Sequence, residues 1–426
     1  MNIPDIDLPR VVVIGGGFAG LQIAKHINVD HYQLVLLDKN NYHTFQPLLY
    51  QVASTGLEPD SIAYPLRKTI SDRKHSFYRL AEVSNIDRTN AIIETNIGNL
   101  KYDILVIATG ADNNFFNNED IEANALPMKS LTDALNLRSK VLGNFEKALN
   151  TNDLDRREEL MNFVIVGAGP TGVELAGALA ELRNKVLPKD YPDLDLRRMK
   201  INLIEAAPRV LASMSEKSSE KTHQYLKKLG VYIWTNTFVE GYKDNKVSTN
   251  KEVSFNADTL IWAAGVMGTF PNGIHADELG RGRRIITDEF CKMKSSDQIY
   301  VLGDAGLIQS ETYPEGLPML ASVAMQQGAY LAKTLNRTAL NKTIKPFVYN
   351  DKGTMATIGR NRAVAEIKRF KFQGVMAWFV WMFVHLMLLV GYRNRMVVFI
   401  NWAWNYIRFN NSLRLIVRPF KPRMKT

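Results

Sequence analysis

Two segments of the chain carry glycines at a spacing that is typical of dinucleotide-binding loops. Residues 15–20 read GGGFAG, which is Gly-x-Gly-x-x-Gly, and residues 167–172 repeat the pattern as GAGPTG. The first glycine permits a tight turn, the second lets the backbone approach a pyrophosphate, and the third lets the following helix pack closely on the strand. Both segments therefore predict a pyrophosphate at the positive N-terminus of a helix.

An acidic residue at the end of a second strand follows each loop. Asp38 lies eighteen residues beyond Gly20, and Glu205 lies thirty-three residues beyond Gly172. A carboxylate in this place accepts hydrogen bonds from a ribose. The longer second spacing predicts a loop insertion over residues 184–199. Glu205 favours NADH, because a carboxylate repels the 2′-phosphate of NADPH, while Arg209 is an alternative phosphate partner that keeps NADPH open.

The elements that must position these loops alternate between apolar strands and helices. Strands run into the glycine loops over residues 11–14 and 163–166, and further strand–turn segments read ILVIATG (104–110), LIWAAGV (260–266) and YVLGDAG (300–306). This order predicts an α/β fold with two Rossmann-like dinucleotide-binding domains. The three extra segments are consistent with plain buried strands, but an aspartate placed like Asp304 can also hydrogen-bond the ribityl or pyrophosphate part of a flavin.

Composition and charge bound the possible functions. The chain has 426 residues, 46% hydrophobic and 23% charged, which is ordinary globular composition for two or three domains. The single cysteine, Cys291, excludes an internal disulfide framework, a CxxC metal site and dithiol redox chemistry, and favours a reducing compartment. The N-terminal residues predict no signal peptide, and no metal is predicted, since no cluster has metal-ligand spacing.

The charge is concentrated in the tail. Of the net +10, residues 351–426 carry +12 and the preceding residues −2, and the tail also holds four of the six tryptophans. The uncharged run 372–392 is long enough to span a bilayer, whereas residues 396–409 are too short and are amphipathic. Flanking basic residues favour a monotopic, surface-lying membrane segment over a spanning helix. A buried dimer interface is a third interpretation.

The order of these motifs resembles the two-dinucleotide-binding-domain flavoproteins, in which the first motif binds FAD, the second binds NAD(P)H, and the NAD domain is inserted in the FAD domain. The lone cysteine argues against disulfide reductases and sulfide:quinone oxidoreductases. Residues 41–57 (NYHTFQPLLYQVASTGL), residues 317–328 (LPMLASVAMQQG) and the tail resemble the type II NADH dehydrogenases. Ser322 stands where that family's quinone motif AQxAxQQ has its first glutamine, while Ala324, Gln326 and Gln327 match.

The resemblance implies a non-proton-pumping NADH:quinone oxidoreductase that passes a hydride from NADH to FAD and two electrons to ubiquinone or menaquinone. It also implies a homodimer held peripherally on the cytoplasmic face of a bacterial-type inner membrane. The expected domains are FAD-binding (1–115 and 290–350), NADH-binding (116–289) and C-terminal membrane-anchoring or dimerising (351–426). A soluble-type NAD(P)H reductase of a ferredoxin-like protein and a flavin-bound membrane scaffold are the alternatives.

The expected site residues fall into three groups. Those expected to contact FAD are Gly15, Gly16, Gly17, Phe18, Ala19, Gly20, Asp38, Lys39, Val83, Ala108, Thr109, Gly110, Gly303, Asp304, Ala321 and Ser322. Those expected to contact NADH are Gly167, Gly169, Pro170, Thr171, Gly172, Glu174, Glu205, Ala264 and Gly265. Glu174, Gln326 and Gln327 are the catalytic candidates. Small residues around Ala321 are also explained by close helix packing.

Glu174 is expected in the first turn of its helix, where the helix dipole favours an ionised carboxylate. A helix-terminus acid without a catalytic role is the plainer interpretation, but in the family this glutamate lies near nicotinamide and quinone, where a titratable group suits quinone reduction. Lys371 is a suggested partner across the quinone pocket. His385, inside an apolar run, is expected to be a satisfied core or interface histidine rather than a ligand.

Overall fold

The chain folds into two compact units, each assembled from three stretches of sequence. In a computed structural model, the structure describes residues 1–408 and 414–416. Unit 1 comprises Met1–His43, Tyr64–Asp112 and Val266–Asp351, and unit 2 comprises Thr44–Ala63, Asn113–Gly265 and the described chain from Lys352 onward. Each unit is built on one parallel sheet.

The α-helices are short except where they flank a sheet or follow the C-terminal strands. In chain order they are α1 (Phe18–His26), α2 (Leu49–Ala53), α3 (Arg67–Ile70), α4 (Glu119–Asn124), α5 (Leu131–Leu149), α6 (Leu154–Met161), α7 (Pro170–Glu181), α8 (Leu187–Asp190), α9 (Glu216–Leu229), α10 (Ala321–Thr338), α11 (Val375–Leu388) and α12 (Tyr392–Arg408). Single 3₁₀ turns cover Gln46–Leu48, Pro59–Ser61, Leu196–Arg198, Ala276–Glu278 and Gly303–Ala305.

The sheet of unit 1 has five parallel strands. In spatial order they are Ile299–Val301, Ile104–Ile107, Arg10–Ile14, Gln33–Asp38 and Ser76–Leu80. Val11 pairs with Leu34 on one side and with Ile104 on the other. Apart from the half-buried Ile104, the apolar residues of the three central strands are buried on both faces, as a covered parallel sheet requires. Because parallel strands end at one edge, the turns that follow them converge there.

The sheet of unit 2 repeats this plan. In spatial order its parallel strands are Leu126–Pro127, Thr259–Trp262, Phe163–Val166, Ile201–Ile204 and Tyr232–Trp234. Phe163 pairs with Ile201 and with Thr259. In the amino-acid sequence, all five strands lie between two strands of the first sheet, Ile104–Ile107 and Ile299–Val301. The predicted α/β fold, with the second dinucleotide fold inserted in the first, is confirmed.

Smaller sheets complete both units. The strands in unit 1 are Val83–Asp87, Ile92–Thr95 and Leu100–Lys101, together with Leu279–Gly280, Arg284–Ile286 and Gly306–Leu307. Those in unit 2 are Val239–Lys243, Lys246–Thr249 and Ser254–Asn256, together with Thr354–Thr357, Ala363–Ile367 and Phe370–Gln373. The remaining short strands are Tyr42–Thr44, Ala63–Pro65, Ala111–Asn113 and Val266–Gly268.

The predicted loop over residues 184–199 is wrong in its first part. The chain leaves α7 through a π-helical turn, Leu182–Val186, and continues directly into α8. Pro188 does not break α8, because it lies in the first turn. The backbone N–H that proline lacks would have no carbonyl partner within α8 at that position. Composition suggested a loop, but the proline marks the start of a helix.

The C-terminal part of unit 2 is a three-stranded antiparallel sheet followed by α11 and α12. The predicted amphipathic segment 396–409 lies within α12 as far as Arg408, and Phe409 is outside the described residues. Val398 and Trp402 are buried, whereas Ile400 and Ile407 are 57% and 74% exposed. Within residues 1–408 and 414–416, none of the helices has both the length and the apolar character needed to cross a membrane.

Candidate functional site

The first glycine loop is shaped by contacts that only glycine permits at two of its positions. Gly15 has φ +102°, and a Cβ there would lie 2.3 Å from the carbonyl oxygen of Ala108. A Cβ on Gly20 would lie 1.9 Å from the carbonyl oxygen of Gly15. At Gly17, by contrast, the nearest atom to a Cβ is 4.0 Å away. The fold therefore does not need glycine at position 17, and its bare backbone is left accessible for a pyrophosphate.

Asp38 is bound into the same loop. Its Oδ2 accepts the Gly16 N–H at 2.6 Å and its Oδ1 accepts the Asn40 N–H at 2.7 Å. Burial raises the pKa of Asp38, and these two backbone N–H groups oppose the rise. Lys39 is exposed and Val83 is half-buried at the start of its strand. The carboxylate closes the loop in the position expected of a ribose-binding acid.

His43 braces the other side of the loop and was not predicted from the sequence. Its Nδ1 lies 3.0 Å from the Gly16 carbonyl oxygen, and its ring packs edge-on against Phe18 with centroids 5.1 Å apart. Burial lowers the pKa of His43 to about 4, so the ring is neutral at pH 7. Because a carbonyl only accepts, Nδ1 carries the proton.

The predicted turn after the strand Ile104–Ile107 lies at the same sheet edge. The Ala108 N–H donates to the Ile14 carbonyl oxygen at 2.8 Å, which brings this turn beside the glycine loop. The Thr109 hydroxyl donates to the Thr269 carbonyl, and the Thr269 N–H donates to the Gly110 carbonyl oxygen at 3.1 Å. The turn therefore joins the loop and a third segment into one rigid cradle.

The turn Gly303–Ala305 and the helix α10 complete this cradle. The side chain of Gln327 is buried, and its Oε1 accepts the Gly303 N–H at 2.6 Å, which holds the turn that carries Asp304. A Cβ on Gly328 would lie 2.3 Å from the Ala19 carbonyl oxygen, so α10 packs directly against α1. Gln327 is thus a positioning residue for the turn, a role that sequence reasoning did not assign to it.

The other predicted residues of α10 make local contacts within unit 1. Ala321 begins the helix, and the Ser322 hydroxyl lies 3.0 Å from the Tyr349 hydroxyl. Gln326 donates from Nε2 to the Asn350 carbonyl oxygen at 2.9 Å and accepts the Asn350 N–H at 3.0 Å. Serine in place of the family's first glutamine is therefore paired with a tyrosine. The catalytic roles of Gln326 and Gln327 stay predictions.

The second glycine loop reproduces the first. Gly167 has φ +98°, and a Cβ there would lie 2.7 Å from the Ala263 carbonyl oxygen. A Cβ on Gly172 would lie 1.9 Å from the Gly167 carbonyl oxygen, whereas a Cβ on Gly169 would meet nothing within 4 Å. The structure again needs glycine at the first and third positions and leaves the second accessible. Two loops with one geometry indicate two dinucleotide sites.

Glu205 occupies the place in this loop that Asp38 has in the first. Its Oε2 accepts the Ala168 N–H at 2.6 Å and its Oε1 accepts the Ala207 N–H at 2.8 Å. Arg209, the alternative phosphate partner, donates instead to the carbonyl oxygens of Met214 at 2.7 Å and Ala212 at 2.9 Å. Its guanidinium is therefore engaged with its own loop, which favours NADH over NADPH.

Four further predicted residues lie in this loop or in the turn after a neighbouring strand. Pro170 and Thr171 are exposed and begin α7. Ala264 is half-buried and Gly265 is exposed in the turn after the strand Thr259–Trp262. Gly265 has φ +77°, a conformation that favours glycine. These residues lie at the carboxyl edge of the second sheet, and their contact with NADH stays a prediction.

Glu174 is a buried acid at the start of the second turn of α7, and not in the first turn as predicted. It is 7% exposed, and its Oε1 accepts the Thr357 N–H at 3.3 Å. Burial raises the pKa of Glu174 to about 8, with smaller opposing contributions from the Thr357 N–H and the Trp381 side chain. The expectation that the helix dipole keeps Glu174 ionised is wrong, because loss of hydration outweighs the dipole. At pH 7 the carboxyl group is largely protonated.

A group of aromatic residues encloses Glu174. The ring of Tyr50 lies 6.4 Å from that of Trp381, and Trp381 stacks on His385 with centroids 4.1 Å apart. Gln51 links the group, since its Nε2 donates to the Tyr50 hydroxyl at 2.8 Å and its Oε1 accepts from Trp402 Nε1 at 2.7 Å. The C-terminal helices α11 and α12 therefore supply part of the environment that controls this acid.

Two ionisable side chains of this group are neutral. Burial, followed by the charge of Glu174, raises the pKa of Tyr50 well above its ordinary value. Burial lowers the pKa of His385 to about 4, and its Nδ1 lies 2.8 Å from the Trp381 carbonyl oxygen. His385 is half-buried within this cluster, which is consistent with the core or interface histidine that the sequence predicts. Glu174 is left as the group of this cluster that titrates near pH 8.

Comparison with known proteins identifies the family. Residues 9–328 match the family described as pyridine nucleotide-disulphide oxidoreductase, and residues 352–408 match the family described as NDH2 C-terminal domain. The type II NADH:quinone oxidoreductase NdhA of Mycobacterium tuberculosis is 34% identical over 418 residues, covering 93% of this chain and 87% of that protein. The chain belongs to the type II NADH:quinone oxidoreductase family.

Two further similarities extend this result. The type II NADH:quinone oxidoreductase of Staphylococcus aureus is 30% identical, with 85% of this chain and 90% of that protein covered. The structure of NDH2 from Plasmodium falciparum in complex with NADH superposes with a TM-score of 0.89 at 22% identity, covering 96% of this chain and all of that one. The fold of the type II family therefore extends over the described chain, including its C-terminal strands and helices.

One suggested pairing is not formed. Lys371 is exposed and lies opposite Glu366 in the antiparallel register. The pKa of Glu366 is lowered by hydrogen bonds from Ser215 and Ser218, and the charge of Lys371 adds a smaller contribution. Glu174 is buried and contacts Thr357 instead. The sequence could not show this, because Lys371 and Glu366 become neighbours only when the C-terminal strands pair.

Proposed function

We propose that this protein oxidises NADH and reduces a membrane quinone, ubiquinone or menaquinone, without coupled proton translocation. The observation that carries the proposal is Glu174, a buried acid two residues after the NADH-loop Gly172, with a pKa raised to about 8. Quinone reduction consumes protons, and a carboxyl group that titrates near the working pH is suited to supply one. The names of the similar proteins support the same activity.

The resident cofactor of such an enzyme is FAD, and unit 1 fits it. The accessible backbone at Gly17 leaves room for a pyrophosphate, and Asp38 lies at the ribose end of the loop. When bound, FAD accepts a hydride from NADH and passes two electrons to the quinone. We assign Asp304 and the first residues of α10 to the remainder of the cofactor, since Gln327 holds the turn beside that helix.

The residues of unit 2 bind NADH and hold the proton that quinone reduction consumes. The glycine loop at Gly169 takes the pyrophosphate, and Glu205 takes the ribose hydroxyls. Glu174 holds its proton on a carboxyl oxygen in an environment from which water is largely excluded. Tyr50 and His385 are neutral and add no charge to that environment.

Anaerobic absorbance of the bound flavin tests both halves of the activity. NADH should bleach the oxidised flavin, and a short-chain quinone should restore it, with NADPH as the control reductant. Bleaching without recovery on quinone would favour the alternative protein acceptor. No bleaching of a flavin-loaded sample would contradict the proposal.

The choice of NADH over NADPH should depend on Glu205. In Glu205→Gln, we expect the ratio of kcat/KM for NADPH to that for NADH to rise about tenfold, because the charge that repels a 2′-phosphate is gone. Steady-state kinetics with both cofactors measure the ratio. The control is Glu240→Gln, which removes an exposed charge from a strand of the same unit. An unchanged ratio in both variants would assign the discrimination to another residue.

We also propose that α11 and α12 attach the protein to a membrane surface. Large apolar side chains on both helices are exposed: Met376 69%, Phe379 52%, Phe383 64%, Phe399 50%, Ile400 57%, Trp404 53% and Ile407 74%. An apolar surface of this kind beside arginines is typical of monotopic interfacial helices. The proposed location is the cytoplasmic face of a bacterial-type inner membrane, and the proposed oligomer is a homodimer, which light scattering after gel filtration can test.

Removing part of this apolar surface should weaken vesicle binding. We expect Ile400→Ser/Ile407→Ser to lower affinity for phospholipid vesicles about tenfold, because two exposed side chains no longer transfer out of water. Vesicle co-sedimentation measures the affinity. The matched control is Leu149→Ser/Leu154→Ser, which changes two exposed leucines elsewhere in unit 2. Equal binding by both double variants would place the membrane contact elsewhere.

A further inference from the structure

A cationic cavity lies where α7 ends, two helical turns beyond Glu174. Its volume is 490 Å³, within the range of small-ligand sites. Three segments of unit 2 line it: the π-helical turn, the last turn of α9, and the turn between the strands Thr354–Thr357 and Ala363–Ile367. Together with the last residue of α7, they contribute the polar residues Glu181, Asn184, Lys185, Lys228, Arg360, Asn361 and Arg362.

Positive charge dominates this cavity. Four basic side chains line it, and Glu181 is the single acid among the described lining residues. Glu181 is already committed, since its Oε1 accepts the Arg360 N–H at 2.6 Å. A cavity that collects four cations from three separate segments is suited to an anion with several acceptor oxygens, of which phosphate is the commonest in biology.

The walls of the cavity are fixed by contacts of their own. Arg183, in the π-helical turn, donates to the carbonyl oxygens of Leu229 at 2.6 Å and Met199 at 3.1 Å. Gly230 ends α9 with φ +80°, a conformation that favours glycine. The carbonyl oxygen of Leu229, the last residue of α9, is therefore bonded by Arg183, and capping it does not explain the lysines at the cavity. A π-helical turn inside a helix is itself frequent at functional sites.

The cavity adjoins the apolar surface of α12. The guanidinium of Arg360 lies over the ring of Tyr406, 3.7 Å from its centroid, and also donates to the Tyr406 carbonyl. The next residue, Ile407, is 74% exposed. A membrane in contact with α12 would present its headgroups near this cavity, and its phosphates are the anions that such a surface supplies.

We propose that this cavity binds the phosphate group of an anionic phospholipid. The proposal rests on the proposed membrane attachment of α11 and α12, and adds a lipid-selective site to it. The apolar surface supplies insertion that does not depend on headgroup charge, and the cavity supplies preference for anionic lipid.

Two matched double variants test the proposal in the full-length, FAD-loaded protein. Lys185→Gln/Lys228→Gln removes two lysines of the cavity, and Lys189→Gln/Lys227→Gln removes two exposed lysines close by in the chain that do not line it. All four side chains are exposed, so equal thermal unfolding and equal flavin content should confirm intact folding. Binding is measured to phosphatidylcholine vesicles with and without phosphatidylglycerol, and inorganic phosphate and glycerol 3-phosphate serve as soluble competitors.

We expect the cavity variant to lose about tenfold in affinity for phosphatidylglycerol-containing vesicles and to keep its affinity for pure phosphatidylcholine. The control variant should lose less than about threefold. Equal losses would mean diffuse electrostatic attraction and overturn the site, while membrane attachment would stand. Failure of the unmodified protein to bind any vesicle would overturn both. If the protein binds inorganic phosphate or glycerol 3-phosphate tightly but does not bind vesicles, the cavity is a site for a soluble phosphate, and the lipid assignment is overturned.

Discussion

Replacing Glu174 by glutamine is expected to slow reoxidation of the reduced flavin by quinone about a hundredfold, the size of effect usual for loss of a general acid. Glutamine keeps the size of the side chain and an oxygen that can accept the Thr357 N–H. It cannot release a proton. Bleaching by NADH should change little, because hydride transfer needs no proton from the protein. Stopped-flow absorbance of the two half-reactions separates these effects.

The pH dependence gives this prediction its sign. Burial raises the pKa of Glu174 to about 8, so the acid is protonated below that pH and ionised above it. In the unmodified protein, the rate of reoxidation by quinone should fall as the pH rises through about 8. In Glu174→Gln, this fall should be absent, because the amide does not titrate. Measurement between neutral and alkaline pH shows the difference.

Glu174→Asp provides the rescue control. Aspartate keeps a titratable carboxyl group but is shorter by one methylene, so we expect part of the rate and a pH-dependent fall to return. If Glu174→Gln reoxidises at the normal rate, with the same fall near pH 8, then another group supplies the proton. That outcome would leave Glu174 as a buried structural acid, the plainer interpretation of its place in the helix.

The parts of the site that depend on local chain geometry were predictable from the sequence. The spacing of Gly15, Gly17 and Gly20 predicts a turn, an accessible backbone and a close helix, and each appears in the structure. The partnership of Asp38 and Glu205 with their loops was also predictable. The acid reaches the same place although it lies eighteen residues beyond the last glycine in one fold and thirty-three in the other. This is because parallel pairing of adjacent strands fixes its position independently of the length of the connecting segment.

The parts that depend on distant residues were not predictable. The protonation of Glu174 follows from its burial in the folded chain, where its neighbours Thr357 and Trp381 come from about two hundred residues away in the sequence. Tyr50 and His43 belong to the segment that resembles the family, yet only the folded contacts show that one lies beside Glu174 and the other braces Gly16. A motif indicates which chemistry is present, whereas the electrostatics of its residues come from tertiary packing.

The glycines of the second loop provide the other large expected effect, and they separate folding from binding. Gly172→Ala should destabilise the protein by about 3 kcal/mol, because its Cβ would lie 1.9 Å from the Gly167 carbonyl oxygen and would force α7 away from the sheet. Gly169→Ala should fold normally, since a Cβ there meets nothing within 4 Å and its φ of −70° suits any residue. Denaturant unfolding measures both.

For ligand binding, the effect is expected at Gly169, the position at which folding does not need glycine. Gly169→Ala should keep its flavin and yet bind NADH about tenfold to a hundredfold more weakly, because the added methyl group occupies the surface that a pyrophosphate must approach. The first loop offers an independent repeat, with Gly20→Ala as the folding variant and Gly17→Ala as the one that folds but loses FAD. Normal NADH affinity in a stable Gly169→Ala would show that the pyrophosphate does not lie against this loop. That result would contradict the assignment of NADH to this loop. It would not affect the fold, which the folding variants test separately.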